Sequence, residues 1–194
     1  MNIQTVKEVK IIKKTIESLK KNSSSISNIS LYDIARELGM EFEELTYFFK
    51  SVEEIILSEQ VRVIKELEDY FIKGMEKAKT ANDYKDVFDG YFDKLLEILP
   101  ENAEVVTAVT FYLPACLEQR TIGKAILRKL IKKIIKKGWP GKVEMVLERQ
   151  TDLVLLSLYG FHDYMSKVSR KERKIVVHDF KNMLNLHLQD RLFF

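Results

Sequence analysis

The sequence SLYDIARELGMEFEELTYFFKSVEEI occupies residues 30–55 and holds two short helical segments that meet at a glycine. Ser30 and Asp33 form an S-x-x-D capping pattern, in which each residue satisfies a free N–H of the other's backbone. Leu31, Ile34, Ala35 and Leu38 then fall on one helical face,. Gly39 ends that helix, because glycine tolerates the positive φ of a sharp corner. A second helix is predicted from about Glu41 to Phe49, with Leu45, Phe48 and Phe49 available for burial. Ser51 caps a third, and Glu53 and Glu54 in its first turn complement the helix dipole,. Two short helices joined by Leu38-Gly39-Met40 make a helix-turn-helix.

Working outward, every other segment is also helical. Residues 3–21 place Val6, Val9, Ile12, Ile16 and Leu19 at helical spacing, with lysines between,. NSSSISN (22–28) breaks that pattern, since small polar side chains compete for backbone hydrogen bonds,. The third helix is predicted to reach about Lys79, with Leu57, Val61, Ile64, Leu67 and Phe71 inward. Asn82 or Asp83 caps the next, and Pro100 stops it. An apolar helix over about 103–113 is predicted to bend or end at Pro114,. A basic helix covers 121–137, and GWPG (138–141) is a turn. Two long helices follow, about 143–167 and 171–191. The first is nearly all apolar from Leu153 to Phe161, which predicts burial on several sides,. Only 7 glycines and 3 prolines punctuate 194 residues. A β-sandwich or barrel needs far more turns, so the expected class is all-α.

Composition excludes several functions. One cysteine, Cys116, cannot build a disulfide framework or a multi-cysteine zinc site,. The longest uncharged run, Val105 to Leu117, is too short for a spanning helix and contains Pro114,. The N-terminal residues lack a secretory apolar core, so a cytoplasmic protein without membrane contact is expected,. No Gly-rich phosphate loop, dinucleotide fingerprint, H-E-x-x-H or G-x-S-x-G is present,. His178 and His187 are nine apart, which is not metal spacing,. Neither an enzyme nor a cofactor or metal is expected.

Residues 30–55 resemble the DNA-binding domain of the TetR (tetracycline-repressor-like) family of bacterial regulators. That family follows a pattern close to T-x-x-x-I-A-x-x-A-G-V-S-x-x-x-L-Y-x-Y-F-x-S-K-E-x-L. Ser30 stands at the opening Thr, Ile34-Ala35 at I-A and Leu38-Gly39-Met40 at A-G-V. Leu45, Phe48-Phe49, Ser51, Glu53 and Ile55 complete the match. The resemblance implies a helix-turn-helix DNA-binding domain over 1–51 and a helical effector-binding and dimerisation domain over 52–194. It implies a homodimer through the two C-terminal helices, a small-molecule effector, and a palindromic operator released or secured when ligand binds. Carried over by position, Ser30, Tyr32, Phe42, Glu43, Thr46, Tyr47 and Lys50 are the candidate DNA contacts. The family usually has a basic residue at Tyr32, often one at Phe42, and Lys at Val52.

Charge opens an alternative. Over 22–60, Arg36 and Lys50 stand against eight acids, a net of −6 on the segment that would face phosphates,. Lysines of the first helix are one source of compensation. The other reading is a head that binds a protein partner instead of DNA. Lys124 to Lys142 carries eight positive charges and no acid. Such a helix suits an anionic surface, or is simply the solvated face of a packed helix. Phe88, Tyr91, Phe92, Phe111, Tyr112 and Tyr159, with Cys116 and His162, are candidate pocket residues, ordinary core being the competing reading,.

Overall fold

The computed structural model describes residues 6–21, 29–98 and 114–189. Among these residues there is no strand, and eight helices follow in order. They are α1 (Val6–Lys21), α2 (Leu31–Leu38), α3 (Phe42–Phe48), α4 (Val52–Lys77), α5 (Ala81–Ile98), α6 (Pro114–Gly138), α7 (Glu144–Lys167) and α8 (Arg170–Gln189). No described helix is long and apolar enough to cross a membrane. The chain forms two compact units that divide at Arg62/Val63 inside α4 and at Arg120/Thr121 inside α6. The head unit is built from α1, α2, α3 and the start of α4, with the start of α6.

The head closes on one apolar cluster. Ile11, Ile12, Ile16 and Leu19 of α1 meet Ile34, Ala35 and Leu45 of α2 and α3, with Val52, Ile55 and Ile56 of α4. The expected α1 stripe is shifted at its start. Val6 is 89% exposed and Val9 half exposed, while Ile11, Thr15 and Ser18 face inward. Thr15 is tolerated there because its hydroxyl donates to the Ile11 carbonyl at 2.9 Å.

The corner between α2 and α3 follows from local chemistry. The Ser30 hydroxyl accepts the Asp33 N–H at 3.1 Å, and the Asp33 carboxylate accepts the Ser30 N–H at 3.3 Å. At the other end Gly39 has φ 62° and ψ 35°. Its N–H donates to the Arg36 carbonyl at 3.2 Å, and Met40 N–H donates to the Ala35 carbonyl at 3.0 Å, a Schellman closure,. A Cβ at Gly39 would meet nothing within 4 Å. Gly39→Ala is therefore expected to cost only the left-handed backbone penalty, about 1 kcal/mol net of the stiffer unfolded chain. Gly39→Asn should cost less. Thermal melts of the two variants check this ordering.

The second unit is an aromatic-rich helical core. Phe71 and Met75 of α4 pack with Phe88, Tyr91, Phe92 and Leu95 of α5. Ile131, Ile134 and Ile135 of α6, Val154, Leu155, Leu158 and Phe161 of α7, and Val177, Leu184 and Leu188 of α8 complete it. Helices α4 and α5 approach closely at two notches. A Cβ at Gly74 would lie 2.9 Å from Val87 Cγ2, and one at Gly90 only 2.1 Å from the Tyr70 hydroxyl. That hydroxyl donates to the Val87 carbonyl at 3.2 Å.

Several helix ends differ from expectation. Thr80 caps α5, not Asn82 or Asp83: its hydroxyl accepts the Asp83 N–H at 3.2 Å, and the Asp83 carboxylate accepts the Thr80 and Lys79 N–H groups. Pro114 opens α6, as suits a residue with no N–H to leave unpaired,. The predicted helix over 103–113 lies outside the described residues. Val61 of the expected α4 stripe is exposed. Leu153 and Leu156 of α7 are exposed too, Leu156 by 71%, so the 153–161 run is buried on one side only.

The basic helix α6 lies against acids of α7. The Arg128 guanidinium donates to Asp152 at 2.8 Å and to Glu148 at 2.6 Å, and Lys132 donates to Glu144 at 2.6 Å and to Glu148. Lys132 and Arg128 hold the Glu148 carboxyl below its ordinary 4.5. Glu144 and Glu148 raise the Lys132 ammonium above its ordinary 10.5. Glu148 thus contributes stability above pH 4.5 that is lost as acid protonates it below that value. Lys132 contributes below pH 10.5 and loses its share as base removes the proton. Glu148→Gln is expected to flatten the acid limb of a stability–pH curve measured by urea unfolding. An unchanged limb would remove Glu148 as a contributor.

Candidate nucleic-acid interface

Helix α3 presents two different faces because seven residues make only two turns. Leu45 points inward and is fully buried, and Phe49, just past the helix, is buried beside it. Phe42, Glu43 and Tyr47 point outward, with Thr46 half-buried between them. Among the described large hydrophobic side chains of the head, Tyr47 is the most open after Val6, at 81%. Positions 42 and 46, and 43 and 47, are one helical turn apart, so the four make one patch. Tyr32 of α2 joins it, its ring 6.3 Å from that of Phe42. The Tyr47 ring meets Phe48 edge-on at 5.4 Å.

Of the seven candidate contacts, Tyr32, Phe42, Glu43, Thr46 and Tyr47 are therefore brought together. Ser30 is exposed at the start of α2, but its hydroxyl is engaged with Asp33 in the cap. Lys50 is exposed, and its ammonium donates to the Thr46 carbonyl at the end of α3. Its own N–H donates to Glu54 at 2.5 Å, while Glu54 N–H donates to the Ser51 hydroxyl at 3.1 Å. This arrangement fixes the exit from α3 into α4.

Half of the eight acids over 22–60 are ion-paired within the head. Lys7 of α1 reaches Glu44 of α3. Lys14 reaches Glu37 at 3.1 Å, where the Ser18 hydroxyl also donates at 3.2 Å. Arg36 holds Asp33 at 3.1 Å, and Arg62 grips the buried Glu59 with two bonds of 2.6 and 2.7 Å. The hydrogen bond from Lys14 lowers the Glu37 carboxyl, and those from Ser30 lower that of Asp33. Both stay ionised at neutral pH. Among the described residues, Glu41, Glu43 and Glu53 have no ion pair, while Lys10, Lys13 and Lys21 are exposed on α1. Sequence spacing offers no sign of the Lys7–Glu44 pair, because its partners are 37 positions apart.

The pocket candidates separate. Phe88, Tyr91 and Phe92 are fully buried together in the second unit. Tyr91 stacks on Phe71 at 5.0 Å, and burial pushes its phenol well above its ordinary range. Tyr159 is half-buried, with the Lys124 ammonium 5.3 Å from its ring. Cys116 sits instead in the head core, where burial pushes its thiol up and its carbonyl accepts from Gln60 at 3.2 Å. Phe111, Tyr112 and the His162 side chain lie outside the described residues. An open groove of about 650 Å³ occurs elsewhere, lined by Glu66, Asp69, Tyr70, Lys73, Asp93 and Lys94 among others.

Solved structures share this architecture along nearly its whole length. A TetR/AcrR-family transcriptional regulator from Thermobifida fusca YX-ER1 superposes with a TM-score of 0.65 at 15% identity, covering 93% of this chain and 97% of that one. The TetR-family regulator PfmR from Thermus thermophilus gives 0.64 at 17% identity, covering 94% and 96%. SCO3833 from Streptomyces coelicolor A3, of the TetR regulator family, gives 0.56 at 14%, covering 90% and 88%. No protein-family profile matches the sequence. No curated protein matches it either. At these identities the likeness is one of fold, and it agrees with the resemblance carried by residues 30–55.

Proposed function

We propose that this chain, built on the TetR/AcrR fold, is a ligand-responsive transcriptional regulator, in its simplest form a repressor. It binds a palindromic operator as a homodimer in the cytoplasm. The observation that carries the reading is the outward patch on α3, held by a capped α2 and a left-handed Gly39. In a helix-turn-helix this is the surface that enters the major groove. The ion pairs from Lys7, Lys14 and Arg62, which lie outside 22–60, offset half of the −6 counted there. They favour DNA over a protein partner for the head. Lys10, Lys13, Lys21 and Lys50 are the proposed phosphate contacts.

Dimerisation is supported by apolar surface on the last two helices. Leu153, Leu156 and Tyr164 line one exposed side of α7, and Ile175, Met183 and Leu186 one side of α8. Gly160 falls within the α7 stripe, and a Cβ there would meet nothing within 4 Å. Contiguous exposed apolar area of this kind marks a contact surface. An effector would enter the aromatic core of the second unit by replacing ring–ring contacts among Phe88, Tyr91 and Phe92. Tyr159 and His162, of the same unit, stay proposals for its lining; Cys116, buried in the head core, is withdrawn from it.

The test is binding of the purified protein to DNA from upstream of its own gene. The expected result is preference over random DNA at low salt. Affinity should fall with salt at a log–log slope of about −0.9 for each phosphate contacted. Equal binding to random DNA would sink the regulator reading.

A further inference from the structure

The α3 patch has an unusual chemical make-up for a reading surface. It holds no arginine, lysine, asparagine or glutamine. The common donors to guanine O6 and N7 and the amides that pair with adenine are therefore missing from it. The Glu44 carboxylate is engaged by Lys7. The Thr46 hydroxyl donates to the Glu43 carbonyl at 3.0 Å, which leaves it only acceptor capacity,. What remains outward is a carboxylate, an acceptor hydroxyl and three aromatic rings, two of them carrying a phenol hydroxyl,.

Resting on the regulator reading above, we infer that this face reads pyrimidines: Glu43 accepts from the N4 amino group of a cytosine, and Tyr47 packs on the methyl group of a neighbouring thymine. Charge decides among the bases. A carboxylate facing guanine meets two acceptors, O6 and N7, and is repelled. Facing adenine it meets the N6 donor beside the N7 acceptor. Facing cytosine it meets the N4 donor with only a C–H beside it. The exposed rings of Tyr47 and Phe42 supply apolar contact for which thymine alone offers a methyl group. Glu43 thus becomes a source of specificity on a face without positive charge, while α1 and Lys50 supply phosphate contacts.

The experiment is selection from random duplex DNA at low salt by the full-length protein and by Glu43→Gln, Glu44→Gln and Tyr47→Ala. Wild type is expected to select half-sites with a fixed cytosine beside a thymine. Replacing that cytosine by guanine should weaken binding about 5- to 150-fold. Glu43→Gln should move the preference from cytosine to adenine, since an amide pairs with N6 and N7 together. Glu44→Gln should leave the cytosine preference intact, and Tyr47→Ala should relax only the thymine. A guanine at the fixed position, or a Glu43→Gln profile identical to wild type, overturns the pyrimidine reading while leaving a DNA-binding regulator. Failure of wild type to select any sequence overturns both.

Discussion

Phe92→Ala is expected to destabilise the second unit by about 3–5 kcal/mol. Phe92 is fully buried and central to the aromatic cluster. Its ring meets Phe88 at 5.6 Å, Tyr91 at 5.2 Å, Phe161 at 5.7 Å and Phe180 at 5.8 Å, each inclined by 67° or more. These rings come from α5, α7 and α8, so truncation opens a void that no single helix can fill. Native stabilities are commonly about 5–15 kcal/mol, so the loss is a large share of the total. Phe92→Leu should cost markedly less. Urea unfolding of both variants decides the matter. A cost under about 1 kcal/mol for Phe92→Ala would mean that the cluster already has slack, and would make it a better candidate for an open effector cavity than a packed core.

The double variant Leu156→Glu with Leu186→Glu is expected to convert the proposed dimer into a monomer. Both leucines are exposed within one chain, Leu186 by 69%, so neither is needed to fold it. In a two-fold interface every substitution appears twice. At about 2 kcal/mol for each central apolar contact, the dimer dissociation constant should rise by at least ~1000-fold. Sedimentation velocity at micromolar concentration reads the mass, and far-ultraviolet circular dichroism verifies that the helices persist. Affinity for the proposed operator should fall with dimerisation, since two half-sites then act separately. A variant that keeps the dimer mass would place the interface away from α7 and α8.

Local signals in the sequence were legible and distant ones were not. The Ser30–Asp33 cap and the Gly39 corner are visible in the sequence because their partners lie within a few residues. Periodicity identified α5 well, because Val87, Phe88, Tyr91, Phe92 and Leu95 face one core. It misphased α1, where Val6 and Val9 imitate a stripe that begins at Ile11. In α7 it equated apolar with buried, although Leu156 meets solvent within one chain. Helix α4 carries residues of both units without a break, so no loop composition marks the division between them. At the head, the residue types of the α3 patch follow from helical spacing. Which acids are already paired does not, because Lys7–Glu44 and Lys14–Glu37 join helices that sequence order keeps apart.

The single tryptophan gives the molecule a built-in optical reporter confined to one unit. Trp139 is buried in the second unit, with its ring edge-on to Phe88 at 5.9 Å and the Lys85 ammonium 5.7 Å from its centroid. Its emission responds to melting of that core and is blind to the head, which contains no indole. Far-ultraviolet ellipticity records helices of both. Comparing the two signals during denaturation separates the units without a label. Gly39→Ala should shift the ellipticity curve ahead of the fluorescence curve, and Phe92→Ala should do the reverse.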